Sequence, residues 1–262
     1  MSNFADLKLR VFSALVLAVV AGVAIWFGGM VFLVLLSLVG GIMIWELARM
    51  LSPKLDPAKL ILLGLIGAAA VFRVGFDNHV CALAALVLAP VLGMVLLPKD
   101  RGLFVGYASF ILFAVAGLFW LRDGEGLVWA IWLIAVVIAS DVGGYFFGRI
   151  LGGPKILPVI SPKKTWSGTL GGWLLAALIG FIFANYLGAN AVLVVLSVLT
   201  AIAAQIGDVV ESAIKRHTGI KDSSNLIPGH GGFLDRFDAL IAASLFVAVI
   251  TYFPGLPGMG IN

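Results

Sequence analysis

Apolar runs recur along almost the whole chain and limit what it can fold into. A helix needs roughly 20 mostly apolar residues to cross the hydrocarbon core of a bilayer, although shorter buried or tilted spans occur. Since backbone groups in lipid must be hydrogen-bonded internally, each run must be a helix and not an isolated strand. Nine candidate spans follow, covering residues 11–28, 31–49, 60–75, 79–97, 103–121, 127–148, 168–187, 190–213 and 238–253.

The composition agrees with a membrane protein. Charged residues make up only 11% of the chain and hydrophobic residues 62%, whereas soluble proteins carry about 25% charged residues. With 262 residues, nine spans leave little room for a separate soluble lobe. The sequence therefore predicts an all-α polytopic integral membrane protein with nine transmembrane helices, built as a single membrane domain over residues 1–262.

The basic residues indicate how the spans are oriented. If the N-terminus is cytoplasmic and nine spans follow, all but two of the 17 Lys and Arg residues lie in cytoplasmic segments; Arg73 and Arg122 are the exceptions. Such a bias is the positive-inside pattern of membrane proteins. It predicts a cytoplasmic N-terminus and an external C-terminus, and it explains the net charge of +4 without nucleic acid as a partner.

Other features bear on the compartment. The first run follows Lys8 and Arg10 as a signal peptide would, but it continues to Gly28 without a small-residue cleavage pattern, so we expect a retained helix. The single cysteine, Cys81, cannot form an intrachain disulfide. Short loops favour a bacterial inner membrane.

Several acids lie within or at the ends of the spans, where orientation does not require them. An ionisable group at membrane depth is costly unless it is paired or faces a polar cavity, so each is a functional candidate. The acids are Glu46, Asp141, Asp208 and Glu211. For Glu46, an ion pair with Arg49 along the same helix is an equally good interpretation.

Charges are concentrated between Ser212 and Asp238 and in the helix just before. Asp208, Glu211, Ser212 and Lys215 stand at i, i+3, i+4 and i+7, which places them in one polar stripe on an otherwise apolar helix. The segment "GHGG" then allows backbone N–H groups to approach an anion closely. A second basic motif, "SPKKTWSG", begins at Ser161.

These residue types indicate metal and phosphate chemistry. Carboxylates without Cys or His ligand spacing suit a hard cation such as Mg²⁺, which typically takes one or two protein carboxylates together with substrate phosphates. Neighbouring lysines and arginines suit phosphate oxygens. On the cytoplasmic side of a membrane, this combination points to phosphoryl or nucleotidyl transfer onto a lipid.

The pattern S-x-x-K-R-x(4)-K-D-x(5)-P-G-H-G-G-x-x-D-R-x-D over residues 212–238 resembles the signature of the phosphatidate cytidylyltransferase family. The segments "SPKKTW", "SDVGGYFFGR" and "GDVVES" also resemble family segments, so the detailed resemblance runs from about Ser140 to Asp238. It implies that residues 1–125 supply N-terminal helices, with "WELARM" as an echo of the family, and that 126–262 supply the catalytic helices.

The resemblance implies the reaction of CTP with phosphatidic acid to give CDP-diacylglycerol and pyrophosphate, in phospholipid biosynthesis. It implies Mg²⁺ or Mn²⁺ as cofactor, held by Asp208 and Asp235 with Asp141 as a further candidate, and leaves open a monovalent cation such as K⁺. The catalytic candidates are Asp208, Asp235, Lys215, Arg216, His230 and Asp238. The substrate-binding candidates are Ser161, Lys163, Lys164, Thr165, Ser212, Lys221, Asp222, Gly231, Gly232 and Arg236.

Three points stay open at this level. Ser167 stands where family members commonly carry an acid, which leaves the role of that position unassigned. The lipid phosphate could be another one, such as an isoprenoid-glycerol phosphate, and an ion-coupled transporter is the alternative from a different class. Small-residue runs such as "GGWLLAALIG" would allow helices to pack closely, and a homodimer is a further expectation.

Overall fold

The computed structural model describes residues 2–76 and 78–252, and helices dominate that part of the chain. The helices are α1 (Ser2–Phe27), α2 (Gly29–Leu51), α3 (Pro57–Arg73), α4 (His79–Leu96), α5 (Arg101–Trp120), α6 (Leu127–Leu151), α7 (Trp166–Leu187), α8 (Val192–Thr218) and α9 (Leu234–Tyr252). Each covers most of one of the apolar runs, so the helical interpretation of those runs is confirmed within the described residues; residue 253 of the last run lies outside them.

Seven of the helices within the described residues are long and apolar enough to cross a membrane. The seven are α1, α2, α4, α5, α6, α7 and α8. Helix α3 has only 17 residues, and α9 begins with charged residues that include Asp235 and Arg236. The fold is therefore a polytopic helical membrane protein, while the count of nine spans and the sides of the termini stay predictions.

Two short elements depart from the expected turns. The "RDGEG" turn does not simply end α5, because residues 121–125 continue it as a π-helical turn and the chain reverses at Gly126, whose φ is 104°. Between α6 and α7, the strands β1 (Lys155–Leu157) and β2 (Ser161–Thr165) form a small antiparallel hairpin. The hairpin contains the "SPKKT" motif and brings its lysines beside α7.

Glycines set the close approach of α6 and α7. A Cβ built on Gly143 would lie 2.6 Å from the carbonyl oxygen of Gly171, and one on Gly172 would lie 2.8 Å from that of Ser140. Gly180, in the same small-residue run, packs in the same way against Ser197 of α8. The "GGWLLAALIG" run is thus used for packing within this chain, and it gives no support to the expected homodimer.

Helix α1 is the most loosely packed span: only 6% of its membrane window is buried, against 61% for the α2 window. At its C-terminal end, Arg122 donates hydrogen bonds to the carbonyl oxygens of Ile25 (2.6 Å) and Trp26 (3.0 Å). These carbonyls belong to the last turn of α1, where no intrahelical partner exists. Arg122, one of the two basic residues outside the predicted cytoplasmic segments, therefore has a structural role at the end of α1.

Candidate active site

The signature segment that follows α8 is anchored to the N-terminal half of the chain by Glu46. This side chain is fully buried in α2. Its Oε1 accepts hydrogen bonds from Ser224 Oγ (2.5 Å) and the backbone N–H of Phe233 (3.0 Å). Its Oε2 accepts from the backbone N–H of Leu234 (2.8 Å) and Ser223 Oγ (3.3 Å). Glu46 therefore holds both ends of the loop 223–234.

An ion pair between Glu46 and Arg49, the alternative interpretation, is wrong. Arg49 is exposed, and its guanidinium lies over the ring of Trp45, 5.2 Å from the ring centre. The helix turns Arg49 toward the surface while Glu46 points into the bundle. A fully buried carboxylate must be satisfied by hydrogen bonds, and four donors from the distant signature segment supply them.

Asp235 is the second anchor of the loop. Its Oδ2 accepts from the backbone N–H of Ser223 (2.8 Å), from Ser223 Oγ (2.9 Å) and from the backbone N–H of Gly232 (2.8 Å). Its Oδ1 accepts from Lys215 Nζ at 2.8 Å. Burial raises the pKa of Asp235, but the hydrogen bonds from Lys215, Gly232 and Ser223 outweigh burial, so the pKa lies below its ordinary value.

The glycines of "GHGG" fit tightly around these two carboxylates. Gly231 has a φ of +85°, and a Cβ there would lie 2.7 Å from Asp235 Oδ2. A Cβ on Gly232 would lie 2.0 Å from Ser223 Oγ and 2.3 Å from Glu46 Oε1. The expected approach of a backbone N–H to an anion does occur, and in this structure the anion is the side chain of Asp235. Substrate binding by Gly231 and Gly232 stays a prediction.

The polar stripe of α8 carries three ion pairs, two of them with residues of other elements. Asp208 pairs with Lys164 of β2, with Nζ and Oδ2 2.5 Å apart, and accepts a hydrogen bond from Ser212 Oγ (3.3 Å). Lys215 forms an ion pair with Glu211, one turn earlier, besides its bond to Asp235. The stripe therefore joins the lysine motif at one end and the signature loop at the other.

The hairpin holds Lys164 in position. Lys164 Nζ also donates to the backbone oxygen of Gln205 (3.3 Å), while Thr165 Oγ1 caps α7 by accepting from the N–H of Gly168 (3.2 Å). Ser167 hydrogen-bonds to Thr165 Oγ1 (3.0 Å) and to the carbonyl oxygen of Gly152. Ser167, whose role the sequence left open, thus supports the hairpin.

Three carboxylates share one electrostatic environment at this end of the bundle. The charge of Asp208 acts on both Asp141 of α6 and Asp238 of α9. Close by, the Tyr107 hydroxyl and the Glu211 oxygens are buried, and within the described part of the chain they have no hydrogen-bond partner apart from the Glu211–Lys215 ion pair. Tyr107 itself interacts with the charges of Glu211, Asp238 and Asp208.

This donor set suits a hard cation. Among residues 2–76 and 78–252, no three Asp, Glu, His or Cys side chains meet as a complete metal site, but Mg²⁺ commonly takes only one or two carboxylates. Asp208 is the more available of the two proposed ligands, since its side chain is 36% exposed and that of Asp235 only 5%. The buried Tyr107 hydroxyl and Glu211 carboxylate nearby are oxygen donors of the kind that a hard cation binds.

The remaining predicted residues lie around this centre with less constraint. His230 Nδ1 lies 2.8 Å from Ser13 Oγ on α1, and its backbone oxygen accepts two hydrogen bonds from Arg236. Arg216 is exposed and donates to the carbonyl oxygen of Ile220 (3.3 Å). The side chains that point to the surface or its edge are those of Ser161, Lys163, Lys221 and Asp222.

Sequence reasoning missed several residues of the site. Ser223 and Ser224 occupy variable positions of the signature, yet both bind the anchoring carboxylates. Gln205 accepts from Trp173 Nε1 (3.0 Å) and donates to Ser140 Oγ (3.2 Å), which links α6, α7 and α8. A polar residue inside an apolar span was the available signal for Gln205; none marked Tyr107.

Comparison with known proteins gives the family of the chain. The sequence matches the Cytidylyltransferase family over residues 8–253. It is 34% identical over 253 residues to a phosphatidate cytidylyltransferase of Brucella suis, covering 91% of each chain. It is 32% identical to that of Staphylococcus saprophyticus (90% of this chain, 95% of the relative) and 35% identical to that of Helicobacter pylori (94% and 92%). The chain therefore belongs to the cytidylyltransferase family, among relatives named phosphatidate cytidylyltransferase, and is a nucleotidyltransferase.

Proposed function

We propose that this protein transfers CMP from CTP to phosphatidic acid, giving CDP-diacylglycerol and pyrophosphate. A phosphate oxygen of the lipid attacks the α-phosphorus of CTP, and the bond from that phosphorus to the bridging oxygen of the β-phosphate breaks. The observation that carries the proposal is the arrangement of the Lys164–Asp208 and Lys215–Asp235 pairs beside the buried oxygens of Tyr107 and Glu211. The relatives' printed names supply the two substrates.

The lysines and arginines neutralise the reacting anions. Two negatively charged substrates must meet, so positive charges in fixed positions lower the barrier more than any side-chain nucleophile would. Lys164 and Lys215 are both paired with carboxylates, which favours the positions that their ammonium groups have in the structure. Lys163 and Arg216 are exposed beside them and can meet the outer phosphates of CTP.

Asp208, with Asp141 and Asp238 near it, is the group of residues that would hold Mg²⁺ or Mn²⁺. A divalent ion there supplies charge neutralisation at the phosphates. Asp235 stays a candidate ligand, although four donors occupy its oxygens in this structure. A monovalent cation such as K⁺ stays a further expectation, with no site assigned to it. Asp235 and Glu46 position the signature loop, which carries His230 and Arg236 to the edge of the site.

The site would lie on the cytoplasmic side of a bacterial inner membrane, where CTP is available. Several apolar helices and bacterial relatives indicate a multi-pass membrane protein, and the cytoplasmic side follows from the bias of the basic residues. The product would enter phospholipid biosynthesis. Membership of a transferase family leaves the transporter alternative without support.

The test is pyrophosphate release by the purified protein in detergent, from CTP and phosphatidic acid with Mg²⁺. We expect release that requires both lipid and metal and that falls at least a hundredfold in Asp208→Asn. Asp208 is the better target because Asp235→Asn would also release the loop. Asp123→Asn, an exposed residue in the π-helical turn, is the matched control and should keep full activity.

Three outcomes count against parts of the proposal. Release that persists in Asp208→Asn would keep the reaction and move the metal site elsewhere. Release with an isoprenoid-glycerol phosphate but not with phosphatidic acid would change the lipid substrate. Absence of release with any lipid phosphate would refute the proposed function.

A further inference from the structure

An apolar cavity of about 590 Å³ lies between α1, α2, α5, α6 and α9. Its volume falls within the range of small-molecule binding pockets, roughly 300–1,000 Å³. We name it the apolar chamber; the residues that line it include Leu17, Ala21, Phe32, Val39, Ala135 and Phe237. Every lining residue is apolar or aromatic, so a nucleotide would not be bound there and a hydrocarbon would.

The chamber is long as well as apolar. Its α6 wall extends from Leu127 to Ile138 and its α2 wall from Phe32 to Met43. At 1.5 Å per residue, each wall is about 16 Å long, which is roughly half of the 30 Å hydrocarbon core. A space of this length matches a lipid acyl chain in one leaflet better than a compact apolar ligand.

One face of α6 connects the chamber to the charged site. Ile131, Ile134 and Ile138 line the chamber, and Asp141 follows at the next i+3 position on the same face. Asp141 interacts electrostatically with Asp208 and Lys164. A lipid lying along this face would place its phosphate at the Lys164–Asp208 pair and its chain one turn further down.

Helix α1 covers the chamber loosely, since only 6% of its membrane window is buried. It is held at two points. Ser13, in its middle, donates to the carbonyl oxygen of Pro228 (3.1 Å), and Arg122 donates to the carbonyl oxygen of Ile25 in its last turn. The stretch of α1 between these points covers the chamber without closing it.

We propose that the apolar chamber receives an acyl chain of the lipid phosphate substrate and so provides binding energy that a short-chain lipid cannot gain. This inference rests on the proposed function, because it takes the substrate to be a lipid phosphate. It adds a subsite for the chain, remote from the charged residues. Occupation by bulk lipid alone is the competing outcome.

The experiment fills the chamber from two walls. Gly22→Leu adds a side chain from α1 where a Cβ meets nothing within 4 Å, and Ala135→Leu adds one from α6. Ala14→Leu, at an exposed α1 position outside the chamber, is the matched control. For each protein, kcat/KM is measured with dioleoyl and with dihexanoyl phosphatidic acid in the same detergent.

We expect both filling variants to lose about tenfold or more in kcat/KM for the dioleoyl lipid, since each methylene excluded from apolar surroundings costs roughly fourfold in affinity. The dihexanoyl lipid should be used as before, and Ala14→Leu should match the parent on both. A phosphatidic acid with a diazirine in its acyl chain should photolabel α1 or α6, and excess dioleoyl lipid should suppress the labelling.

Two results would overturn the proposal: kcat/KM that depends on chain length in both filling variants as it does in the parent, or equal losses of kcat/KM on both lipids. Either result would indicate that the chamber binds only bulk lipid. Labelling confined to other helices would overturn it independently of activity, even if a variant failed to fold. A parent protein that uses neither lipid would instead refute the proposed function, which keeps the two failures distinguishable.

Discussion

Replacing Glu46 by glutamine tests whether this buried carboxylate orders the signature loop. Each of its oxygens accepts one backbone N–H, from Phe233 at 3.0 Å and from Leu234 at 2.8 Å. Glutamine keeps one oxygen, so its NH₂ group must face the other N–H. An unsatisfied buried donor costs about 1–3 kcal/mol, and replacing charged by neutral hydrogen bonds adds about 1 kcal/mol. A total of about 3 kcal/mol shifts the loop roughly a hundredfold toward disorder.

The assay combines pyrophosphate release with hydrogen exchange of the loop amides. Glu46→Gln should lower kcat/KM by tenfold or more and should speed exchange of the Phe233 and Leu234 N–H groups, while the exchange of helix interiors stays unchanged. Glu125→Gln, the same substitution in the π-helical turn, should change neither. Full activity together with unchanged loop exchange in Glu46→Gln would refute the assignment of Glu46 as the loop anchor.

Three further predictions concern neighbouring features. Gly232→Ala should lower activity at least tenfold, because its Cβ would lie 2.0 Å from Ser223 Oγ, whereas Gly102→Ala, with open space around its Cβ, should be neutral in the same assay. Arg122→Met removes two hydrogen bonds to the end of α1 and should cost about 1–3 kcal/mol, seen as a Tm lower by several degrees in detergent; an unchanged Tm would contradict this. Because the pKa of Asp235 lies below its ordinary value of 3.8, its contribution to stability is complete above that value and is lost as pH falls through the lower folded-state pKa. Below about pH 4 the Tm of the parent should therefore drop more steeply than that of Asp235→Asn, and parallel curves would argue against the ionised carboxylate.

The helices could be predicted from apolar runs because lipid allows few other backbone structures. Their ends were less predictable: α8 was expected over 190–213 but continues to Thr218, since its last turns are polar and extend beyond the apolar run. The hairpin was missed because its strands have only 3 and 5 residues and carry no alternating apolar pattern. Hydropathy detects membrane depth and gives little information on structure at the surface.

The sequence indicated which charged residues lie in the site, but not which of them pair with each other. A stripe such as Asp208 to Lys215 follows from helix geometry, whereas the partner of each charge depends on how distant elements meet. Lys164 therefore could not be assigned to Asp208, nor Glu46 to the signature loop, without the tertiary structure. The i, i+3 spacing suggested Arg49 as the ion-pair partner of Glu46. This prediction failed because the helix turns Glu46 into the bundle and Arg49 toward the surface.

The bond between Glu46 and the signature loop also bears on how the protein is made. Glu46 and Phe233 are 187 residues apart, and ribosomes add about 5–20 residues per second. The first of its four final donors, Ser223, lies 177 residues after Glu46, so for roughly 9–35 s after Glu46 is added to the chain none of them has been synthesised. A carboxylate without partners is costly inside a membrane, so we expect Glu46 to be protonated or in contact with water during this interval. The signature loop then supplies the four donors, which makes the completed C-terminal segment a condition for finishing the N-terminal half.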